Sequence, residues 1–308
     1  MSALAFTIVA LLLSGPVPAM LARAAWPLRA PRAAIVLWQA IALAAVLSAF
    51  SAGIAIASRL FVPGEDGRPT ATFTSEVAIL GWPLWMIYVM VFALTLMVGS
   101  RLIVSVVKGA IATRRRRAHH RKVVDLVGTA HATAPQLRIL EVAEPFAYCV
   151  PGVRGRVVLS EGALNTLSTN EITAIVKHEQ AHLRARHDLV LEMFTAVHAA
   201  FPRFVRSANA LAAVRLLIES LADDAAARTT GPTPLARALV ACASGRTPSG
   251  ALAAGGPTAM VRVRRLGGKP NSLLLAAGAY SAAAAVLVIP TIALALPWLA
   301  ELHRLFGA

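Results

Sequence analysis

Cysteine is nearly absent from this chain of 308 residues. The two cysteines, Cys149 and Cys242, are far apart, and neither belongs to a Cys-x-x-Cys pair. This number and spacing exclude a disulfide framework and a cysteine-based zinc site. We therefore expect two reduced thiols with a structural role.

Charged residues are also scarce, acidic ones above all. They make up 15% of the chain against 57% hydrophobic residues, and the mean hydropathy is +0.66. Soluble domains have about 25% charged residues, so the composition indicates a membrane protein. Lys and Arg outnumber Asp and Glu by 30 to 15, which gives a formal net charge of +15. Such a balance can serve nucleic-acid binding, but basic segments beside membrane spans more often set topology and contact anionic lipid.

Four apolar runs are long enough to cross a bilayer, which requires ~20 residues. They cover residues 3–21, 33–58, 77–98 and 273–299. The third run can extend as a helix to Val107, and Pro290 predicts a kink in the fourth. A secretory signal peptide would carry positive charge before its apolar core, and none precedes the first run. We therefore expect an uncleaved first span.

Basic residues cluster after the first run, after the third and before the fourth, whereas the loop at residues 59–76 is nearly neutral. The positive-inside rule places such clusters in the cytoplasm. The sequence thus predicts a multi-pass protein of the cell (plasma) membrane with the N-terminus outside. It divides into residues 1–107 with three transmembrane helices, a cytoplasmic domain at 108–270, and a C-terminal transmembrane helix with a short tail at 271–308.

A basic run follows the third span and contains Arg114, Arg115, Arg116 and Arg117. We interpret it as an anchor on anionic lipid. The alternative is nucleic-acid binding. No helix-turn-helix pattern or interleaved aromatic residues accompany the run, so we expect no direct contact with nucleic acid.

The central region predicts a small antiparallel sheet followed by a long helix. Residues 136–142 alternate polar with apolar residues, as a half-buried strand does. Residues 147–150 and 155–159 flank a Pro-Gly turn, which is a hairpin signal. Ser168 and Glu171 form a capping box, which predicts the start of a helix that can run to about residue 200.

This helix carries His178-Glu179-Gln180-Ala181-His182, an H-E-x-x-H pattern. Positions i and i+4 share one helix face, so both imidazoles can converge on one tetrahedral zinc ion. Glu179 is then placed to act as a general base on a water at the metal. Chance alone produces this pattern in on the order of one chain per hundred of this size. Solvated histidines on a helix are therefore the alternative.

A catalytic zinc site usually has three protein ligands, so a third ligand is needed. Glu219 and Asp223 lie four residues apart in a helical stretch at 209–228, and they share a face. Glu219 is our candidate for the third ligand, and Asp223 for a carboxylate that accepts the other N–H of a liganding histidine. The alternative is an ordinary solvated helix face.

From about residue 137 to 228 the chain resembles integral-membrane zinc peptidases of the BlaR/MecR type, whose fold is related to the HtpX and CAAX-prenyl proteases. The resemblance rests on the strand pair, on the H-E-x-x-H pattern, and on Glu219-x-x-Ala222-Asp223. It implies a mainly α membrane protein with about four transmembrane helices and a cytoplasmic, zincin-like α+β metalloprotease domain. His178, His182 and Glu219 would bind Zn2+, Glu179 would be the general base, and Asp223 would orient a ligand.

Enzymes of this kind often add a donor for the oxyanion, and the sequence leaves His198, Arg228 and Tyr148 as candidates. An extended substrate could align along an edge strand, with residues 147–150 as one option. The chain also departs from the family. An aspartate often stands five residues after the second histidine, where this chain has His187 followed by Asp188. BlaR/MecR receptors carry a penicillin-binding sensor after the last span, and the sequence stops at Ala308, so we expect no β-lactam sensing by this chain alone.

The predicted function is a membrane-anchored zinc-dependent endopeptidase that cleaves protein or peptide substrates at the cytoplasmic face. By resemblance, the substrate could be a winged-helix repressor of the BlaI type in a signalling pathway. Two alternatives stay open. One is a signal transducer that binds a cytoplasmic regulator, and the other is membrane-protein quality control, as in the HtpX relatives. A homodimer is a further open arrangement.

Overall fold

The computed structural model describes residues 2–57, 62–63, 69–70, 77–78, 80–131, 134–152, 155–200, 209–243, 252–253, 258–292, 296, 299–300 and 303. The apolar helices are α1 (Ser2–Ser14), α2 (Pro16–Arg23), α3 (Pro31–Ala57), α4 (Trp82–Val127) and α11 (Leu273–Pro290), and a short 3-10 helix spans Trp26–Arg29. Helices α5 to α10 are Glu161–Thr166, Thr169–Arg184, His187–Ala200, Ala210–Thr230, Pro232–Cys242 and Ala259–Leu266. The strands β1 to β7 are Val62–Pro63, Pro69–Thr70, Thr129–His131, Ala134–Leu140, Ala147–Val150, Arg156–Ser160 and Leu252–Ala253.

Four helical segments are long and apolar enough to cross a membrane. They are Ala3–Arg23, Pro31–Ile56, Trp82–Val127 and Leu273–Pro290, which match the four predicted runs. The first is interrupted at Gly15, where α1 ends and Pro16 begins α2. The predicted fold class, a membrane protein with an additional α+β domain, is confirmed.

Helix α4 is longer than predicted. Its apolar run indicated a helix that can extend to Val107. Its 46 residues continue to Val127, a length of about 69 Å at about 1.5 Å per residue. That is more than twice the ~30 Å hydrocarbon core of a bilayer. The C-terminal half of α4 therefore carries the basic run beyond the apolar part and reaches the sheet, where Val124 packs against Tyr148 and Val158.

Helix α3 is the central apolar helix. It approaches α4 closely because Gly53 and Gly99 lie at the contact: a Cβ on Gly53 would collide with the side chain of Thr95, and one on Gly99 would lie 2.7 Å from Phe50. Small residues at such crossings let two spans come together. The first turns of α3 pack against α8 through Ala34, Ile35 and Trp38, which contact Val214, Leu217 and Ile218. This contact ties the helix that carries Glu219 to a membrane helix.

A five-stranded sheet lies beside these helices in the order β3-β4-β6-β5-β7. The predicted hairpin is confirmed: β5 and β6 pair antiparallel, with Tyr148 opposite Val158. The sheet is not antiparallel throughout, because β4 pairs parallel with β6, with Leu137 opposite Val157. An alternating pattern predicts a strand but not its neighbour, and here β6 lies between β4 and β5.

The sequence leaves residues 147–150 as one option for an edge strand. This option is wrong, because strand β5 lies between two other strands. Among the described residues, β7 pairs with it on the side away from β6, with Ala253 opposite Tyr148. Successive side chains of β5 point to opposite faces. Tyr148 and Val150 face α4, whereas Ala147 belongs to the core formed with α6, α8 and α9.

The predicted long helix from Ser168 to about residue 200 is two helices, α6 and α7. The break lies at Arg186, which has φ +51, a left-handed conformation that non-glycine residues rarely adopt. The chain changes direction there. As a result, His187 at the start of α7 lies against His182 near the end of α6.

Candidate metal centre

Helix α6 presents His178, Glu179 and His182 to the interior. The predicted capping box begins this helix: the Ser168 amide donates to Glu171 Oε2 at 2.9 Å, and the Ser168 side chain accepts from the N3 backbone. Apolar residues of the same helix, among them Ala174 and Ile175, pack in the core with α9 and the sheet. The side chains of the H-E-x-x-H pattern are fully or almost fully buried. The alternative of solvated histidines is therefore excluded.

Three donor atoms converge between α6 and α8. His178 Nε2 lies 3.2 Å from His182 Nε2. The Glu219 carboxylate lies 3.4 Å from His178 Nε2 and 3.5 Å from His182 Nε2, through its two oxygens. Zinc bonds of about 2.0–2.1 Å at the tetrahedral angle place neighbouring ligand atoms about 3.3–3.4 Å apart. The separations in this cluster match that expectation.

The cluster of His178, His182 and Glu219 is the group of His, Cys, Asp and Glu side chains in the described residues that can hold a metal ion. Its donor set of two imidazoles and one carboxylate is one that catalytic zinc sites use. The geometry and the chemistry of these residues therefore both fit a zinc ion.

Asp223 sits one turn after Glu219 and contacts the other nitrogen of His178. Its Oδ1 lies 3.0 Å from His178 Nδ1. This contact fixes the ring so that Nε2 points toward the cluster, and it favours the tautomer with the proton on Nδ1. The solvated-face alternative for Glu219 and Asp223 fails as well, because Asp223 is fully buried.

Arg262 completes the site, and the sequence interpretation missed it. Its guanidinium donates to both oxygens of Asp223, at 2.8 Å and 2.5 Å, and lies 3.0 Å from Glu219 Oε2. The side chain is almost fully buried. Its helix, α10, has three arginines, Arg262, Arg264 and Arg265, close together in sequence. The sequence pattern alone does not show that Arg262 is the one that enters the site.

Glu179 lies beside the cluster with both carboxylate oxygens buried. Among the described residues no N–H or O–H group donates to either oxygen. The thiol of Cys149 on β5 interacts with this carboxylate. Cys149, expected to be only structural, thus faces the site, while its neighbour Tyr148 faces α4.

Negatively charged side chains outnumber the arginine in this site. Three buried or nearly buried carboxylates, on Glu179, Glu219 and Asp223, surround one buried cation, Arg262. Burial raises the pKa of Glu179, and the Glu219 carboxylate adds to the shift. Burial alone would lower the pKa of His178, but hydrogen bonds to Asp223 and Glu219 raise it to about 9. Buried charges must be paired or bind metal ions, so a divalent cation would balance this site.

His187 stands where the related peptidases often have an aspartate. Its Nδ1 lies 3.0 Å from His182 Nδ1, on the side of that ring that faces away from the cluster. Burial lowers the pKa of His187 to about 4, so the ring is neutral and can accept a hydrogen bond. The next residue, Asp188, accepts from Arg117 of α4 at 2.7 Å, and Arg117 also pairs with Glu192 at 2.6 Å. One arginine of the basic run is therefore bound to protein carboxylates.

Of the three candidate oxyanion donors, Tyr148 and Arg228 are not brought to the cluster. The Tyr148 hydroxyl lies 3.1 Å from His120 Nε2 on the α4 side of the sheet. Arg228 is nine residues after Glu219 on α8, about half a rotation around the helix, and its side chain is exposed. The side chain of His198 lies outside the described part of the chain.

Residues 10–201 match a protein-family model described as BlaR1 peptidase M56. The matched stretch is more than half of the chain. It includes the H-E-x-x-H pattern and ends before Glu219. Searches among curated proteins and among solved structures found no match.

Proposed function

The chain belongs to the BlaR1 peptidase M56 family, and on that basis we propose that it is a membrane-anchored, zinc-dependent endopeptidase that cleaves protein substrates at the cytoplasmic face. Family membership supports a metallopeptidase, and the apolar helices fit a membrane protein. The observation that carries the proposal is the convergence of the His178, His182 and Glu219 donor atoms at separations of 3.2, 3.4 and 3.5 Å.

In this proposal His178, His182 and Glu219 hold the zinc ion. When bound, zinc supplies a Lewis acid that polarises a peptide carbonyl and lowers the pKa of water toward ~7. Glu179 accepts the proton of the attacking water and passes it to the leaving amine, since no N–H or O–H group of the described residues competes for its carboxylate. Asp223 orients the His178 ring, and Arg262 holds Asp223 and Glu219 in place.

The test is a cleavage assay with the purified full chain in proteoliposomes and an unfolded reporter protein. Chelation should abolish cleavage, and added Zn2+ should restore it. His178→Ala should lose both zinc and activity. The matched control is His119→Ala, which removes an exposed histidine outside the site and should leave both unchanged. Cleavage that survives complete zinc removal would contradict the proposal.

We propose the cytoplasmic orientation from the basic clusters, with residues 1–107 as membrane domain, 108–270 as protease domain and 271–308 as C-terminal span. A cysteine introduced at Arg115, in a chain with Cys149 and Cys242 replaced, should not react with a membrane-impermeant maleimide in intact cells. Labelling from outside would overturn this orientation. Arg114, Arg115 and Arg116 are exposed and remain our candidates for contact with anionic lipid.

The proposed substrate is a winged-helix repressor of the BlaI type. A second candidate function, signal transduction from the membrane helices, is favoured by the ion pairs that join Arg117 of α4 to Asp188 and Glu192 of α7. A comparison of the proteins that accumulate uncut in a Glu179→Gln strain separates one specific substrate from many. A single regulator supports the repressor proposal, whereas many membrane proteins support quality control.

A further inference from the structure

A cavity of about 680 Å3 lies where α3 and α11 begin, and it adjoins the metal centre at His187. Its walls also include the end of α6 and part of α8. Four arginines line it: Arg29, Arg32, Arg184 and Arg228. They come from three separate parts of the chain, since Arg29 and Arg32 are three residues apart, and all four are exposed. The volume is within the range of small-molecule sites, about 300–1,000 Å3.

The positive charge of this cavity is not balanced by carboxylates of the described residues. Among the described residues that line it, the carboxylate is that of Asp224. Asp224 is already engaged, since it accepts from Arg265 at 2.7 and 2.9 Å and from Asn271 at 2.8 Å. In the described part of the chain no ion pair joins any of the four lining arginines to a carboxylate. The complementary ligand is therefore an anion.

The cavity sits at the end of two candidate membrane spans. Helix α3 begins at Pro31 and α11 at Leu273, and the Ser272 amide donates to Arg29 O at 2.8 Å, which joins the two starts. Both helices direct their positive N-terminal ends toward this region. A guanidinium group can donate two parallel hydrogen bonds to the oxygens of one phosphate, so the arginines suit a phosphate group.

One wall of the cavity is apolar and follows α11 along Leu273, Ala276 and Tyr280. Leu273 is 87% exposed and Tyr280 is 43% exposed within the protein, so this part of the apolar span offers surface to acyl chains. A free phosphate ion would leave this wall uncovered. A phospholipid would place its phosphate among the arginines and its acyl chains along α11.

We propose that this cavity binds the phosphate headgroup of an anionic phospholipid. The site is distinct from the basic run of α4, whose exposed Arg114, Arg115 and Arg116 do not line this cavity. It holds one lipid molecule in a defined place, rather than attracting the membrane surface as a whole.

The test is native mass spectrometry of the full chain in detergent, titrated with phosphatidylglycerol or phosphatidylcholine. Wild type should retain one phosphatidylglycerol and bind phosphatidylcholine much more weakly. Arg32→Gln/Arg228→Gln should weaken phosphatidylglycerol binding on the order of tenfold to a hundredfold, because two charge-assisted contacts are lost. The matched control, Arg237→Gln/Arg264→Gln, removes the same charge from exposed positions outside the cavity and should bind like wild type.

Three results would overturn the proposal: equal binding of both lipids, equal loss in the control pair, or no loss in Arg32→Gln/Arg228→Gln. A further arm replaces lipid with inorganic phosphate. If phosphate competes as well as the lipid at equal concentration, the ligand is a soluble phosphate and the lipid assignment is wrong. Arg32→Lys/Arg228→Lys keeps the charge but loses the paired guanidinium contacts, so it should retain only part of the phosphatidylglycerol affinity. This variant serves as the test if Arg32→Gln/Arg228→Gln does not fold, and an undiminished affinity would then contradict the proposal.

Discussion

Asp223 and Asp224 are neighbours on α8 that form the same kind of ion pair in different directions. Asp223 accepts two hydrogen bonds from Arg262 and lies 3.0 Å from His178 Nδ1. Asp224 accepts two from Arg265, and none of the hydrogen bonds described for it involves a proposed zinc ligand. Replacing each in turn by asparagine therefore separates the loss of a carboxylate–arginine pair from an effect on the metal. We expect only Asp223→Asn to weaken zinc binding.

The expected magnitudes follow from burial. The Asp223 side chain is fully buried, and that of Asp224 is 18% exposed. Breaking a buried ion pair costs about 3–5 kcal/mol of the free energy of unfolding, while a partly exposed pair contributes about 0–1 kcal/mol. Groups that orient a metal ligand change metal affinity by about 10- to 100-fold, or about 1.4–2.8 kcal/mol. Asparagine keeps one acceptor toward His178, so we expect the lower half of that range.

The assay is zinc competition with a chromophoric chelator, together with urea unfolding of the zinc-free proteins. Asp223→Asn should lose zinc affinity and stability. Asp224→Asn should lose at most a little stability and no affinity. Equal zinc affinities for both variants would refute the orienting role of Asp223, because Asp223 contacts His178 whereas Asp224 pairs with Arg265.

Three further predictions concern the same site. Arg262→Gln should lower the free energy of unfolding by about 3–5 kcal/mol, since it leaves buried carboxylates without their cation. The control Arg264→Gln, at an exposed position, should change this free energy by about 0.5 kcal/mol or less. Urea unfolding measures both, and similar losses in the two variants would contradict the prediction. His187→Ala should reduce zinc affinity about tenfold in the chelator competition, because the His182 ring loses its contact with His187. His187→Asp restores an acceptor and should recover the zinc affinity. An unchanged affinity in His187→Ala would contradict a role of His187 in orienting His182. Removal of zinc should lower the midpoint of thermal unfolding, and saturating zinc should raise it by mass action, so a midpoint that does not respond to zinc would argue against a folded-state metal site.

The parts of the site that the sequence predicted depend on short spacings. The four-residue intervals between His178 and His182, and between Glu219 and Asp223, determine which side chains share a helix face. The capping box at Ser168 predicts where α6 begins. Each of these spacings lies within one or two turns of a single helix, so it can be recognised without knowing how distant segments pack.

The parts that were missed depend on distant segments. Arg262 reaches Asp223 across 39 positions, and Cys149 meets Glu179 because β5 packs against α6. The parallel pairing of β4 with β6, the break at Arg186, and the ion pairs of Arg117 with α7 likewise arise from tertiary packing. Arg117 shows the limit clearly, since the same basic run contains three exposed arginines and one that binds two carboxylates.

The most direct test of the central claim compares zinc content and cleavage in wild type and Glu179→Gln. Glutamine preserves the size of the side chain but cannot accept the proton of the attacking water, and Glu179 is not among the proposed zinc ligands. We predict that Glu179→Gln keeps one zinc ion per chain and loses cleavage of a protein substrate. Undiminished proteolysis by a purified, contaminant-free Glu179→Gln preparation that contains zinc would contradict the assignment of Glu179 as the general base.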